Sequence, residues 1–83
     1  VEIVNRAGMH ARPASEFVKL AGSFKSEIYL EKDGLRVNGK SIMGVLMLAA
    51  EQGSSLRIEA EGEDADDALA KLSGLVSSGF EED

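Results

Sequence analysis

Residues 27–41 run Glu27-Ile28-Tyr29-Leu30-Glu31-Lys32-Asp33-Gly34-Leu35-Arg36-Val37-Asn38-Gly39-Lys40-Ser41, and two incompatible folds compete for them. From Gly34 to Ser41 the residues match the phosphate-binding loop pattern G-x-x-x-x-G-K-[ST]. That pattern demands a bare turn between a buried parallel strand and a helix. Hydrophobic alternation gives the other reading. Ile28 and Leu30 alternate with Glu27, Tyr29 and Glu31, a strand with one buried face. Asp33-Gly34 is a hairpin turn pair, because both positions tolerate positive φ. Leu35 and Val37 then alternate as a second strand, inside the would-be loop. A chain of 83 residues also has no room for a parallel nucleotide-binding sheet and its Mg²⁺-holding acid. The hairpin reading is kept, and with it an antiparallel sheet.

Working outward, Val1 and Ile3 alternate with Glu2 and Val4 as a short first strand, followed by a loop from Asn5 to Met9. Ala14, Phe17, Val18 and Ala21 fall at i, i+3, i+4 and i+7, one face of a helix that Gly22 can end. Pro13 lies in its first turn, where its missing N–H had no partner to lose. After the hairpin, Ser41 can cap a short helix reaching about Leu48. Gln52-Gly53 breaks the chain, and Leu56, Ile58 and Ala60 alternate as a fourth strand. Asp64 can cap a last helix with apolar positions Ala65, Ala68, Leu69, Leu72, Leu75 and Val76. Acids crowd its start, where the helix dipole favours them. The order βαββαβα predicts one α+β domain over residues 1–83, with a four-stranded antiparallel sheet covered on one face by three helices.

Composition narrows the function. At 43% hydrophobic and 29% charged the chain is expected to be an ordinary soluble domain. It has no cysteine and one histidine, so neither a disulfide framework nor a zinc site is expected, and no cofactor is implied. No apolar run approaches the ~20 residues of a membrane span. A net charge of −6 argues against nucleic acid and against adhesion to anionic membranes. Cytoplasmic residence is the expectation. The acids gather late in the sequence and the bases early, so an acidic partner could still approach the amino-terminal half.

The one histidine stands in Gly8-Met9-His10-Ala11-Arg12-Pro13-Ala14, at the junction of loop and helix. The first turn of a helix leaves N–H groups without intrahelical acceptors, and with the dipole these make an anion site. Ala11 leaves that end open, Pro13 stiffens it, and Arg12 adds a charge able to hold phosphate bidentately. The dipole contributes only ~0.3–1 kcal/mol when exposed, weak enough for a group that must be released. A lone histidine here serves equally as a plain surface or capping residue. Spacing alone reaches a histidine that contacts an anion, and stops there.

Two motifs go further. Gly8-Met9-His10-Ala11-Arg12-Pro13-Ala14 and Asn38-Gly39-Lys40-Ser41-Ile42-Met43-Gly44-Val45 closely resemble those of the HPr family, the histidine-containing phosphocarriers of the bacterial phosphoenolpyruvate-dependent phosphotransferase system. The likeness runs from Val1 to about Val76. It implies an open-faced β-sandwich, with His10 phosphorylated on Nδ1 by enzyme I and the phosphoryl group passed to an enzyme IIA protein. It implies that Ala11, Arg12 and Pro13 hold the phosphate, with Arg12 steadying it, and that the protein is a carrier rather than an enzyme. A nitrogen-branch carrier of the same fold, acting in regulation rather than sugar transport, is the alternative. A passive regulatory domain is a second rival, although the regulatory branch lacking the active histidine is not matched, since His10 is present. Ala7 departs from the polar residue many relatives carry, and the family's starting methionine and a few leading residues are absent.

Ser41 reads first as an N-cap, worth ~1 kcal/mol. With Val45 and Leu48 turned inward, Ile42, Met43, Leu46 and Met47 fall on an outward face; the competing reading is a fully buried helix. The resemblance implies that Met9, Ile42, Met43 and Leu46 contact enzyme I and enzyme IIA. It also implies that Ser41 is the target of an HPr kinase/phosphorylase. A phosphate adding ~−2 charge there would hinder docking of an acidic face. A monomer is expected of a transient carrier.

Overall fold

The computed structural model of the protein describes residues 1–81. Its elements are α1 (Ala11–Gly22), β1 (Glu27–Lys32), β2 (Leu35–Asn38), α2 (Ile42–Met47), β3 (Arg57–Glu61), α3 (Ala65–Ser77) and a closing 3₁₀ turn (Gly79–Glu81). The hairpin forms as its residues dictate: Asp33 and Gly34 both take positive φ, 51° and 84°, and β1 pairs antiparallel with β2. A strand therefore occupies the middle of the apparent phosphate-binding loop. Lys40, which that pattern would aim at phosphate, donates through Nζ to Phe24 O at 2.8 Å.

β1 is the central strand of the order β2-β1-β3, antiparallel on both sides. Leu30 faces Val37 across one ladder and Ile58 across the other, which makes an apolar row toward the helices. The alternate residues put charge on the open face: Glu31 lies between Arg36 and Arg57, and Tyr29 carries the Arg36 guanidinium 3.7 Å above its ring. α3 lies against β3, and α1 packs between α2 and α3. Phe17, Ile28, Leu30, Val45, Leu72 and Val76 are buried in the core beneath them.

The sheet has three strands where four were expected. Val1–Val4 makes only an isolated bridge, Glu2 to Ser55. Val1 and Leu56 exchange both backbone bonds, at 2.8 and 2.6 Å. One pair further on, Ile3 N–H reaches Ser54 O, but Ser54 N–H turns to Glu51 O and the return bond comes from Gly53 instead. The tight turn through Gly53, at φ 90°, takes the amide that would have continued the ladder. Ile3 is nonetheless fully buried, so the segment packs as the alternation requires.

Asp64 is the second departure. It stands at the N-cap position of α3, but its side chain makes no capping bond. The carboxylate instead accepts from the Lys25 and Ser26 backbone N–H groups, each at 2.9 Å, and from the Ser26 hydroxyl. It ties the loop between α1 and β1 to the start of α3. These bonds, the Ser26 hydroxyl first, hold its carboxyl at about 2, below the usual 3.8. No helix among the described residues is long and apolar enough to cross a membrane.

Candidate functional site

His10 is the N-cap residue of α1, with extended φ −90° and ψ −170°. Its backbone carbonyl accepts the first helical bond, from Ala14 N at 2.9 Å, while its side chain makes no capping bond to the helix. The plain capping role left open by the sequence is thereby removed. Ala11 and Arg12 carry the two amides that precede the hydrogen-bond ladder, and Pro13 has none. His10, half-buried, therefore stands at the positive pole of a 12-residue helix, at the end whose first amides have no intrahelical acceptors.

The loop that delivers His10 is fixed from the far side. Gly8 takes φ 68°, and a Cβ there would lie 2.4 Å from Ala50 O. Only glycine lets the loop pass so close, and the approach permits Met9 N–H to bond Ala50 O at 2.8 Å. The same turn swings the Met9 side chain into the core, where it is 4% exposed. Met9, expected at a contact surface, thus shows a partner little of its side chain in the unbound protein. The segment after α2 thus braces the loop before α1.

Arg12 is exposed at the helix start, its Nε 3.7 Å from Glu16 Oε1 one turn along. A pair so exposed is weak and screened, so little holds the guanidinium there. A groove of about 590 Å³ runs from Arg12 past Lys19 and Leu20 to Leu75 and Phe80. His10 does not line it, so the imidazole is served by a helix end rather than by a substrate cleft.

The second motif builds α2. Ser41 caps it: its Oγ accepts from Gly44 N–H at 3.1 Å. Val45 and Leu48 point inward, as their spacing predicts, and the fully buried alternative for this helix fails. Ile42 and Leu46 are 38% and 37% exposed, Met43 and Met47 69% and 66%. α2 packs on α1, so this apolar face and the end of α1 belong to one side-by-side pair of helices.

Among the described residues, a histidine at a helix start that does not line the groove beside it, and an apolar face on the neighbouring helix, are the features a phosphoryl carrier would use. The chain matches the family model for the phosphotransferase system HPr component phosphorylation site over residues 1–78. It is 44% identical over 82 residues to the phosphocarrier protein HPr of Neisseria meningitidis, covering 99% of this chain and 92% of the relative. It is 47% identical over 76 residues to the HPr-like protein Crh of Bacillus subtilis, covering 92% and 89%. The crystal structure of HPr-C-His from Thermoanaerobacter tengcongensis superposes with a TM-score of 0.96 at 46% identity, covering 100% of this chain and 93% of that one. The protein belongs to the HPr family of phosphocarriers of the phosphotransferase system, and its fold is the HPr fold with an open antiparallel sheet.

Three features of the site escaped the sequence reading. The brace between Gly8 and Ala50 had no local signal beyond the glycine itself. The Asp64 tie joins residues 38 and 39 positions apart. Phe80, buried after Gly79, did carry one: glycine followed by an apolar residue past a helix end is the pattern of a left-handed C-terminal turn.

Proposed function

We propose that His10 accepts a phosphoryl group on Nδ1 from phosphorylated enzyme I and hands it to an enzyme IIA protein in sugar uptake. The carrying observation is the position of His10: it is the N-cap of α1, its side chain is not engaged in capping, and the helix end it occupies begins with the Ala11 and Arg12 amides. The neutral ring nitrogen attacks phosphorus and displaces the donor imidazole. The negative charge then rests against those amides and the positive helix end. Arg12 leaves its weak pair with Glu16 to steady the phosphate, while Ala11 and Pro13 keep the approach open and stiff. A stabilisation of ~0.3–1 kcal/mol from the dipole keeps the group transferable.

Ile42, Met43 and Leu46 form the face on which both partners dock, and Ser41 is the regulatory position. A kinase that phosphorylates Ser41 would add ~−2 charge beside that face and repel an acidic partner. Residues 1–83 act as a single domain and as a monomer, in the cytoplasm, exchanging one partner for the next; the −6 charge supports protein partners over nucleic acid or lipid.

The test is intact mass and peptide mapping after incubation with phosphoenolpyruvate and enzyme I. The protein gains one phosphoryl group on His10; His10→Ala gains none, and Ser41→Ala gains one as before. Phosphorylation persisting in His10→Ala would end the proposal. Pull-down of the phosphorylated chain against the host's enzyme IIA set separates the sugar from the nitrogen branch.

A further inference from the structure

α2 offers two thioethers to solvent. Met43 and Met47 are 69% and 66% exposed, whereas the third methionine, Met9, is 4% exposed. Met43 and Met47 stand four residues apart in a single six-residue helix, so their side chains lie one above the other on one face. The chain has three methionines and no cysteine, so no thiol of its own intercepts an oxidant.

We propose that Met43 and Met47 are a paired oxidation site through which hydroperoxides silence the α2 docking face. The sulfur lone pair attacks the terminal peroxide oxygen, the O–O bond breaks and an S–O bond forms. Sulfur loses two electrons, and hydrogen peroxide is reduced to water. Each event turns a flexible apolar side chain into a polar, chiral one that thiol-dependent methionine sulfoxide reductases can restore. The sulfoxide oxygen is hydrated on the free protein. Docking strips that water, and an apolar partner surface offers no donor in return, which lowers affinity by about tenfold or more. The sulfoxides carry no net charge, so unlike a phosphate at Ser41 their effect does not fade with salt. Because both side chains are already in water, the fold is untouched.

The docking half of this inference rests on the function proposed above; the selectivity of oxidation does not. The full chain is treated with limiting hydrogen peroxide, mapped by peptide mass, and then assayed for phosphoryl transfer from enzyme I. One oxygen is expected on each of Met43 and Met47 before any on Met9. KM for the oxidised chain rises about tenfold with kcat kept and the melting midpoint unchanged, and reductase treatment reverses it. The M43L/M47L chain, whatever its starting rate, should show the same rate before and after peroxide. Equal oxidation of Met9, an unchanged KM after oxidation, or loss of rate in M43L/M47L on peroxide treatment would overturn the proposal. An untreated chain that accepts no phosphoryl group would instead bring down the carrier mechanism itself.

Discussion

At Gly8 the backbone holds φ 68°, and any side chain would meet Ala50 O at 2.4 Å. Gly8→Ala combines left-handed strain with a backbone clash and should cost about 2 kcal/mol or more, read as a lower urea midpoint. It should also slow phosphorylation, because the Met9 to Ala50 bond that aligns His10 depends on this approach. A midpoint equal to the parent's would show that the loop has another way past Ala50. His10 itself was legible, since histidine one residue before a helix with proline in its first turn announces a helix end. The direction of Met9 was not. A loop has no period, so nothing in the residues around it says which side chain faces the core.

Among the elements, the join between α3 and the start of β1 depends on one carboxylate. The carboxyl of Asp64 is lowered from 3.8 to about 2 in the folded chain, first by the Ser26 hydroxyl and then by backbone N–H groups. A depressed acid stabilises fully above its unfolded value and loses that contribution as pH falls through the folded one. Stability should therefore drop between pH 3.8 and about 2, and Asp64→Asn should flatten that part of the profile while starting lower at neutral pH. Denaturant midpoints across the acid range read this; an identical slope in Asp64→Asn would place the acid sensitivity elsewhere. The sequence marked Asp64 as the residue before α3 but could not say what it bonds, because Lys25 and Ser26 are distant in the chain. The hairpin, by contrast, was fully written in local alternation and in Asp33-Gly34. The first strand fell between these cases: Ile3 packs as its alternation demands, yet Gly53 withdraws the amide that would have extended the ladder.

At the scale of the molecule, a domain of 83 residues has few large side chains to spare. Phe80, at φ 58° and 3% exposed, folds back into the core that Ile3, Phe17 and Leu72 share. Phe80→Ala should cost about 3 kcal/mol, a large share of the ~5–15 kcal/mol typical of a domain. The melting midpoint should fall by roughly 10 °C or more. A fall of only a degree or two would mean that the closing turn contributes little. The order of the three helices and of the three strands that form needed only the periodicities and turn residues; the first segment, read as a strand, makes only a bridge. Which surfaces stay open followed from α2, where two inward positions leave four apolar side chains outside.

The relay through His10 is tested most directly by following the phosphoryl group. Labelled phosphoenolpyruvate and enzyme I load the purified chain, the donor is removed, and enzyme IIA is added. One acid-labile label on His10 should form and then leave for enzyme IIA. A chain that takes no label from enzyme I, or keeps it on a hydroxyl after enzyme IIA is present, would contradict the account.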